Sequence, residues 1–181
     1  MKKFLSLIVL APMISACSLF PEIEKVAGEN TISSSDREFS ITLNENFILI
    51  SQDDLSPGTV LAAADLTHEK NAITPNINIV KTQLGQTFPN YVFAKANIKK
   101  AKEALSDYEE IDQEDITIDG YETILHTFTS GDLYYIQSYI LHENTSYTVT
   151  ITSYQDIDEN LLDEYIKIIK TLSFTKEKEQ E

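Results

Sequence analysis

Hydrophobic and polar residues alternate along several short stretches between residues 38 and 153. The clearest are residues 38–43 and residues 147–153, where Tyr147, Val149 and Ile151 share one side and threonines occupy the other. Such alternation is typical of a half-buried strand, and β-branched threonine suits its outer face. The same pattern predicts further strands over residues 47–51, 59–66, 76–84, 113–118, 121–129 and 133–142.

The apolar period lengthens to that of a helix in two places. The first predicted helix runs from Phe88 to Leu105, and its core-facing side comprises Phe88, Tyr91, Val92, Ile98, Ala101 and Leu105. The second runs from about Asp158 to Leu172 with Asp158 as its N-cap. Its apolar stripe comprises Leu161, Leu162, Tyr165, Ile168, Ile169 and Leu172.

Short turns join the predicted strands of the second half. Asp119-Gly120 is a strong two-residue hairpin signal, because both residue types tolerate positive φ. The fold class predicted is α+β: a mostly antiparallel twisted sheet of about seven strands with two main helices packed on it, as an αβα sandwich.

The N-terminus has the layout of a secretory signal. Lys2 and Lys3 precede an apolar run over residues 4–11, which is too short to span a membrane. The lone cysteine, Cys17, follows this run, and the segment Ile14-Ser15-Ala16-Cys17 resembles the bacterial lipobox. That resemblance implies a signal peptide over residues 1–16 and a mature chain that begins at an acylated Cys17. The alternative is an ordinary secretory signal ending near Ala16, with Cys17 incidental.

Acylation of Cys17 would attach the protein to a lipid bilayer without a spanning segment. One acyl chain binds a membrane only marginally, whereas the three implied by the lipobox form a stable anchor. In Gram-negative sorting, Asp after the cysteine marks inner-membrane retention, so Ser18 favours an outer-membrane location that faces the periplasm. Residues 17–37 are predicted to be a flexible tether, residues 38–174 the folded domain, and residues 175–181 a charged tail.

Charge narrows the choice of partner. The chain has 14 Lys and Arg against 29 Asp and Glu, a formal net charge of -15. Nucleic acid binding requires a basic face, so nucleic acid is excluded as the expected partner.

The order of elements resembles that of the PsbP/DcrB-like family, which shares its sandwich with the Ran-binding Mog protein. The resemblance spans residues 38–174, and one departure is Phe47, where many relatives have tryptophan. The matching segments are Phe39 to Leu43, Pro75 to Val80, Tyr147 to Ser153 and Leu172 to Phe174. It implies a binding or assembly factor of the cell envelope, since family members include lipoproteins and supply no catalytic set.

Motifs for catalysis are missing from the sequence. It has no nucleophile elbow, no phosphate-binding loop and no paired metal-ligand spacing, so neither a cofactor nor a metal is expected. Of the histidines, His68 lies in a predicted loop, and His126 and His142 lie in predicted strands. The latter two could meet across the sheet and bind a metal or share a proton. The alternative is that each is a strand residue with an ordinary hydrogen-bond partner.

Two groups of similar side chains, one acidic and one of tyrosines, remain to be interpreted. The acidic stretch over residues 107–119 is interpreted as a solvated helix-to-strand connection, with calcium binding as the alternative. A set of tyrosines is interpreted either as cross-strand packing or as anchors for a peptide or small apolar ligand: Tyr134, Tyr135, Tyr139 and Tyr147.

The main functional hypothesis is a membrane-anchored, non-catalytic binding or assembly module whose partner is an envelope protein or such a ligand. An envelope hydrolase that uses His126 or His142 with a carboxylate, and a passive spacer, are the alternatives.

Overall fold

The computed structural model of the protein describes residues 30–34 and 37–175. These residues form strands, two α-helices and one short 3₁₀ turn over Gln52–Asp54. In chain order the main elements are β1 (Asn30–Ser33), β2 (Phe39–Leu43), β3 (Phe47–Leu49), β4 (Thr59–Asp65), β5 (Asn76–Gln83), α1 (Asn90–Ala104), β6 (Tyr108–Ile118), β7 (Tyr121–Ser130), β8 (Leu133–His142), β9 (Thr145–Tyr154), α2 (Glu159–Lys170) and β10 (Ser173–Phe174).

The strands form two antiparallel sheets. The larger has seven strands in the order β3-β4-β5-β9-β8-β7-β6, and the smaller has the order β1-β2-β10. Helix α2 and the small sheet pack on one face of the large sheet, here the α2 face, and helix α1 packs on the other, the α1 face. The predicted α+β class, with a sheet of about seven strands and two helices, is confirmed.

The main core lies on the α2 face, where the periodic segments behave as predicted. Tyr147, Val149 and Ile151 are buried on β9. The carboxylate of Asp158 caps α2 by accepting hydrogen bonds from the main-chain N–H groups of Asn160 and Leu161. The cap satisfies donors that the helix itself leaves free. Most of the predicted α2 stripe is buried: Leu161, Tyr165, Ile168, Ile169 and Leu172.

The first strand lies within the segment predicted to be a tether. Residues 30–33 pair with β2, in register from Asn30 opposite Leu43 to Ser33 opposite Ser40. Ile32 packs against the core as the one large apolar residue of β1, and four residues are too few for a period to show. The predicted signal peptide, Ile14, Ser15, Ala16, Cys17, the rest of the tether and residues 176–181 lie outside the described residues.

The acidic stretch was predicted to be a connection that leads into a strand over residues 113–118, but the strand already begins at Tyr108. It forms β6, the edge of the large sheet, which pairs with β7 and has a bulge between Glu110 and Asp112. Only Ile116 and Ile118 of this strand are buried. The charged residues of β6 obscure the alternation of apolar and polar residues, because most of this edge strand faces water. Charges and bulges are common on edge strands because they prevent pairing with another chain.

The predicted core-facing side of α1 is wrong in its first turn. The helix begins at Asn90, and Ala94 and Ile98 are its buried residues. The first part of the predicted side is exposed instead: Phe88 by 40%, Tyr91 by 45% and Val92 by 53%. Neither α1 nor α2 is long and apolar enough to cross a membrane, and the same holds for the rest of the described chain.

Candidate functional site

Strands β7 and β8 separate at one end of the large sheet. Their main-chain pairing begins at Leu125 opposite Ser138 and ends at Ser130 opposite Leu133. Residues 121–124 of β7 stay paired with β6, and residues 139–142 of β8 stay paired with β9. We call this separation the β7–β8 fork.

Side chains replace the missing main-chain pairs inside the fork. The Asn90 amide donates to the Leu141 carbonyl at 3.0 Å and accepts from the Leu141 N–H at 2.5 Å. The hydroxyl of Thr123 donates to the carbonyl of Tyr139 at 2.7 Å. Because buried main-chain groups need partners, these contacts allow the fork to stay open. They also fix the start of α1 against β8.

The tip of the β6–β7 hairpin is held toward the α2 face. Asp119 and Gly120 both have positive φ, 48° and 85°, so they form the tight turn that the sequence predicts. The carboxylate of Asp119 accepts a hydrogen bond of 2.7 Å from the N–H of Phe174 in β10. Strand β10 belongs to the small sheet on the α2 face. This contact therefore favours an opening on the opposite face, beneath the start of α1.

That opening is a cleft of about 360 Å³. Residues 89–91 at the start of α1 form one wall, and residues 120–122 at the hairpin tip form the other. Tyr91 precedes Ile98 by seven residues, so on an ideal helix the two side chains point in directions only about 20° apart. Tyr91 thus continues the buried stripe of α1. Its side chain is nevertheless exposed, because it lines the cleft and is not covered by the core.

An exposed apolar patch adjoins the cleft. Phe88, Tyr91 and Val92 are each about half exposed and lie within five residues of one another, and Pro89 lies between them. Single exposed apolar side chains are common, but contiguous ones next to a concavity are typical of an interaction site. We call these four residues the α1 patch.

One carboxylate, that of Glu122, lines the hairpin side of the cleft. Asp119 and Glu143 lie near the phenol of Tyr121, which packs on the α2 face against Phe174. Burial, followed by these two carboxylates, raises the pKa of Tyr121. Lys95 approaches from α1, with its Nζ 5.4 Å from the centre of the Tyr91 ring. No lysine or arginine is among the described residues that line the cleft.

The three histidines lie in separate environments. His142 Nδ1 is 2.5 Å from Tyr121 Oη, and its ring stacks on Phe174 of the α2 face. His126 is two residues after Ile124 in strand β7, so both side chains lie on the α1 face. His126 and His142 therefore lie on opposite faces and do not meet across the sheet, because alternate strand residues face opposite sides.

The fully buried His126 forms a hydrogen-bonded network with two residues of β6, the half-buried Tyr108 and the exposed Glu110. Its Nε2 lies 2.8 Å from Tyr108 Oη, and that hydroxyl donates to Glu110 at 3.1 Å. Burial lowers the pKa of His126 to about 4, although the nearby Glu110 charge acts in the opposite direction. A neutral ring that donates from Nε2 to Tyr108 is consistent with these contacts and leaves Nδ1 as the acceptor without a partner.

His68 belongs to a hydrogen-bonded group around a buried carboxylate. Its Nδ1 lies 2.8 Å from Oδ2 of Asp65, which also accepts from the hydroxyl of Tyr165 at 2.9 Å. The other carboxylate oxygen accepts from the N–H and hydroxyl of Thr67. This group connects β4, the following loop and α2, so its arrangement is suited to holding the helix against the sheet.

The four tyrosines proposed as ligand anchors do not share one groove. All four are buried, with Tyr134 and Tyr147 in the main core and Tyr139 in the cluster beneath α1. Tyr135 stacks on Phe128 at 4.8 Å between ring centres. Within residues 30–34 and 37–175, no group of three or more histidine, cysteine or acidic side chains is placed to hold a metal ion.

The cleft was not predicted from the sequence, although two of its signals are visible there. The Asp119-Gly120 turn and the apolar start of α1 were both recognised, but their juxtaposition was not. The contact that controls it, from Phe174 to Asp119, joins residues 55 positions apart. Periodicity reports local structure and carries no information about such a pair.

The comparisons with known proteins show the fold. No family model and no curated sequence matches the chain. Cyanobacterial PsbP (CyanoP) of Synechocystis superimposes with a TM-score of 0.58 at 15% identity, over 90% of this chain and 99% of that one. LpqN of Mycobacterium tuberculosis, which is involved in cell envelope biogenesis, superimposes with a TM-score of 0.60 at 12% identity, over 82% of this chain and 91% of that one.

The yeast Ran-binding protein Mog1p, from Saccharomyces cerevisiae, gives a TM-score of 0.59 at 6% identity, over 82% of this chain and 96% of that one. The chain therefore has a PsbP/Mog-type fold. This confirms the structural part of the family resemblance seen in the sequence. Identities this low show the fold and leave the function to the residues of the site.

Proposed function

We propose that this protein is a non-catalytic binding or assembly module of the cell envelope, anchored to the membrane through acylated Cys17. Its partner is a protein that covers the α1 patch and inserts a side chain into the cleft. The observation that carries the proposal is the exposure of Tyr91, which continues a core stripe and has no core beneath it.

Energetics support a docking role for the patch. Burying a large apolar side chain completely contributes roughly 1.5–3 kcal/mol, so covering a half-exposed one contributes about 1 kcal/mol. Phe88, Tyr91 and Val92 together would then supply about 3 kcal/mol, or roughly a hundredfold in affinity. A passive spacer would need neither this patch nor the cleft.

A binding role also agrees with the relatives of this fold. LpqN is involved in cell envelope biogenesis and Mog1p binds Ran, so the fold serves at least one protein that docks another. The lipobox-like Ile14 to Cys17 segment supports placement in the envelope, and Ser18 supports the outer membrane in a Gram-negative host. The fully buried His126 gives little support to the alternative of a hydrolase, because substrate would have to reach its ring.

Site-specific photo-crosslinking in cells tests the docking surface. A benzophenone amino acid at Val92 should yield a discrete crosslinked species, because this side chain belongs to the α1 patch and is more exposed than those of Phe88 and Tyr91. The matched position is Asp163, an exposed residue of α2 on the opposite face. The same species should disappear when Tyr91→Ser is added to the Val92 probe.

The proposal fails if folded protein gives no species from position 92, or if positions 92 and 163 give the same one. Circular dichroism and urea unfolding of each variant establish that it is folded. Tyr91 and Val92 are half exposed, so their replacement should leave the fold intact.

A further inference from the structure

We infer that the cleft binds the main chain of an extended segment of the docked partner protein, through the main-chain N–H and carbonyl of Glu122. This inference rests on the proposed docking function and names the part of the partner that the cleft recognises. Its basis is the β7–β8 fork, in which the side chain of Asn90 occupies the strand residue that would otherwise pair with Glu122.

The register of the β6–β7 hairpin fixes the direction of the Glu122 main chain. Ile118 and Tyr121 flank the two-residue turn and lie opposite each other, so they exchange main-chain hydrogen bonds. In an antiparallel ladder such pairs alternate with pairs that have no hydrogen bond between them. Glu122 follows Tyr121 and belongs to a pair of the second kind, so its N–H and carbonyl point away from β6 and toward β8.

Strand β8 does not supply a partner for these two groups. Continuing the β7–β8 register would place Leu141 opposite Glu122, but the pairing of the two strands ends at Leu125. The amide of Asn90 instead bonds to both the N–H and the carbonyl of Leu141, at 2.5 and 3.0 Å. Outside the strand ladders, no main-chain partner of Glu122 is found among residues 30–34 and 37–175. Glu122 is exposed and lines the cleft together with Asn90, so the cleft gives an external molecule access to the free pair.

The free main-chain pair of Glu122 is suited to an extended segment. Unpaired N–H and carbonyl groups on a strand are the groups that bind another chain by strand addition. A residue in extended conformation presents both groups on one side, so it can exchange two hydrogen bonds with Glu122. Ile124 is the next residue of β7 that points the same way, and it is fully buried. The segment therefore pairs with one residue of β7, while Tyr91 on the opposite wall can contact a side chain of the same segment.

Hydrogen exchange in the free, folded protein tests the first step. The Glu122 amide should exchange about a hundredfold faster than the Thr123 amide, because Thr123 and Ile116 form the next hydrogen-bonded pair of the β6–β7 ladder. Equal protection of the two amides would mean that Glu122 already has a partner, and the inference would be wrong.

Titration with a neutral peptide tests the ligand. The probe is N-acetyl-trialanine methylamide, and the control is the same peptide with a methyl group on every amide nitrogen, which can accept hydrogen bonds but cannot donate them. We expect saturable shifts of the Gly120 amide resonance, at the wall of the cleft, with the probe only. Equal shifts with the two peptides would overturn the inference. So would equally tight binding of propionamide, because a primary amide resembles an asparagine or glutamine side chain and not a main chain.

A backbone ester removes the donor on the protein. Lactic acid at position 122 differs from Glu122→Ala only by an ester oxygen in place of the main-chain N–H, and it should bind the peptide about two- to tenfold more weakly. The same comparison at position 115 is the control, since the N–H of Asp115 also points away from the β6–β7 ladder but lies at the outer edge of the sheet. Equal effects at the two positions would contradict a site at Glu122.

Crosslinking from position 92 separates a failure of this inference from a failure of docking. If crosslinking depends on Tyr91 but the alanine peptide does not bind, the docking function remains and the main-chain inference is wrong. If the peptide binds and position 92 gives no crosslink, the main-chain site remains and the docking function is wrong.

Discussion

The hydroxyl of Tyr165 donates a hydrogen bond of 2.9 Å to Asp65 Oδ2, and both side chains are fully buried. The contact joins α2 to the end of β4 over 100 positions of sequence. Burial and the adjacent charge of Asp65 raise the pKa of Tyr165, so the phenol remains a donor at any physiological pH. A buried carboxylate without enough donors is costly, so this contact has consequences for stability.

Tyr165→Phe should lower the free energy of unfolding by about 1.5–3 kcal/mol, because Asp65 then loses one charge-assisted hydrogen bond. The control is Tyr135→Phe, which removes the hydroxyl of another buried tyrosine and leaves the stack on Phe128. No hydrogen bond of this hydroxyl is found among the described residues. The cost of this control should stay below about 0.5 kcal/mol. Urea unfolding at pH 7 measures both, and equal costs would refute the role given to Asp65.

Gly120→Ala should destabilise the protein by about 1–2 kcal/mol. Gly120 has φ of 85°, a conformation that a Cβ disfavours, although nothing lies within 4 Å of the added atom. Gly85→Ala is the matched control, since its surroundings are equally open and its φ is not in the positive range. Thermal unfolding of the two variants should separate them, and a neutral Gly120→Ala would contradict the turn geometry.

Asn90→Ala should cost about 1–3 kcal/mol and speed hydrogen exchange at the Leu141 amide, since both main-chain groups of Leu141 lose their partner. Asn97→Ala on the same helix is the control, because its amide only donates to the carbonyl of Phe93 one turn earlier. If the exchange rate at Leu141 is unchanged in Asn90→Ala, the fork is not held open in the way described.

Stability should fall on acidification partly through His126. Its pKa is about 4 in the folded protein, whereas the ordinary pKa of histidine is 6.5. Below about pH 6.5 the unfolded chain therefore binds a proton at this residue and the folded chain does not, which favours unfolding. The loss grows to at most about 3 kcal/mol near pH 4. His126→Phe should therefore lose less stability than the parent protein between pH 7 and pH 4.5.

Urea unfolding midpoints across this pH range measure the stability of the two proteins. Their difference isolates the contribution of His126, because the carboxylates are the same in both. Phe128→Leu changes the same ring stack without a titratable group and should follow the pH dependence of the parent. A His126→Phe curve parallel to the parent curve would mean that the ring takes up a proton readily in the folded state.

Membrane attachment should depend on Cys17. Cys17→Ala should move the protein from the membrane pellet to the soluble fraction and abolish labelling by palmitate, because an acidic domain has little affinity for anionic lipid. Ser18→Ala should leave attachment intact, and Ser18→Asp should shift the protein toward the inner membrane of a Gram-negative host. Retention of Cys17→Ala in the pellet would remove the anchor from the proposed function.

Periodic segments were predictable from sequence, and segments defined by distant contacts were not. Strand β9 and helix α2 follow their patterns because each buries one continuous side against the main core. The strand predicted over residues 113–118 contains the two buried residues of β6, Ile116 and Ile118, whereas the first half of β6 was missed because it is charged and has no buried residue. The exposure of Tyr91 could not be predicted, because its helical spacing is that of a core residue and the cleft beneath it depends on Asp119 and Phe174.

The direction of β1 has a geometric consequence for an anchored domain. The chain enters the small sheet at Asn30, opposite Leu43, whereas Phe174 lies opposite Phe39 at the other end of β2 and contacts the hairpin tip through Asp119. Four strand intervals, roughly 14 Å, separate these two ends. In a protein anchored through Cys17, the hairpin tip beside the cleft would therefore lie at the end of the small sheet away from the strand end that leads to the anchor.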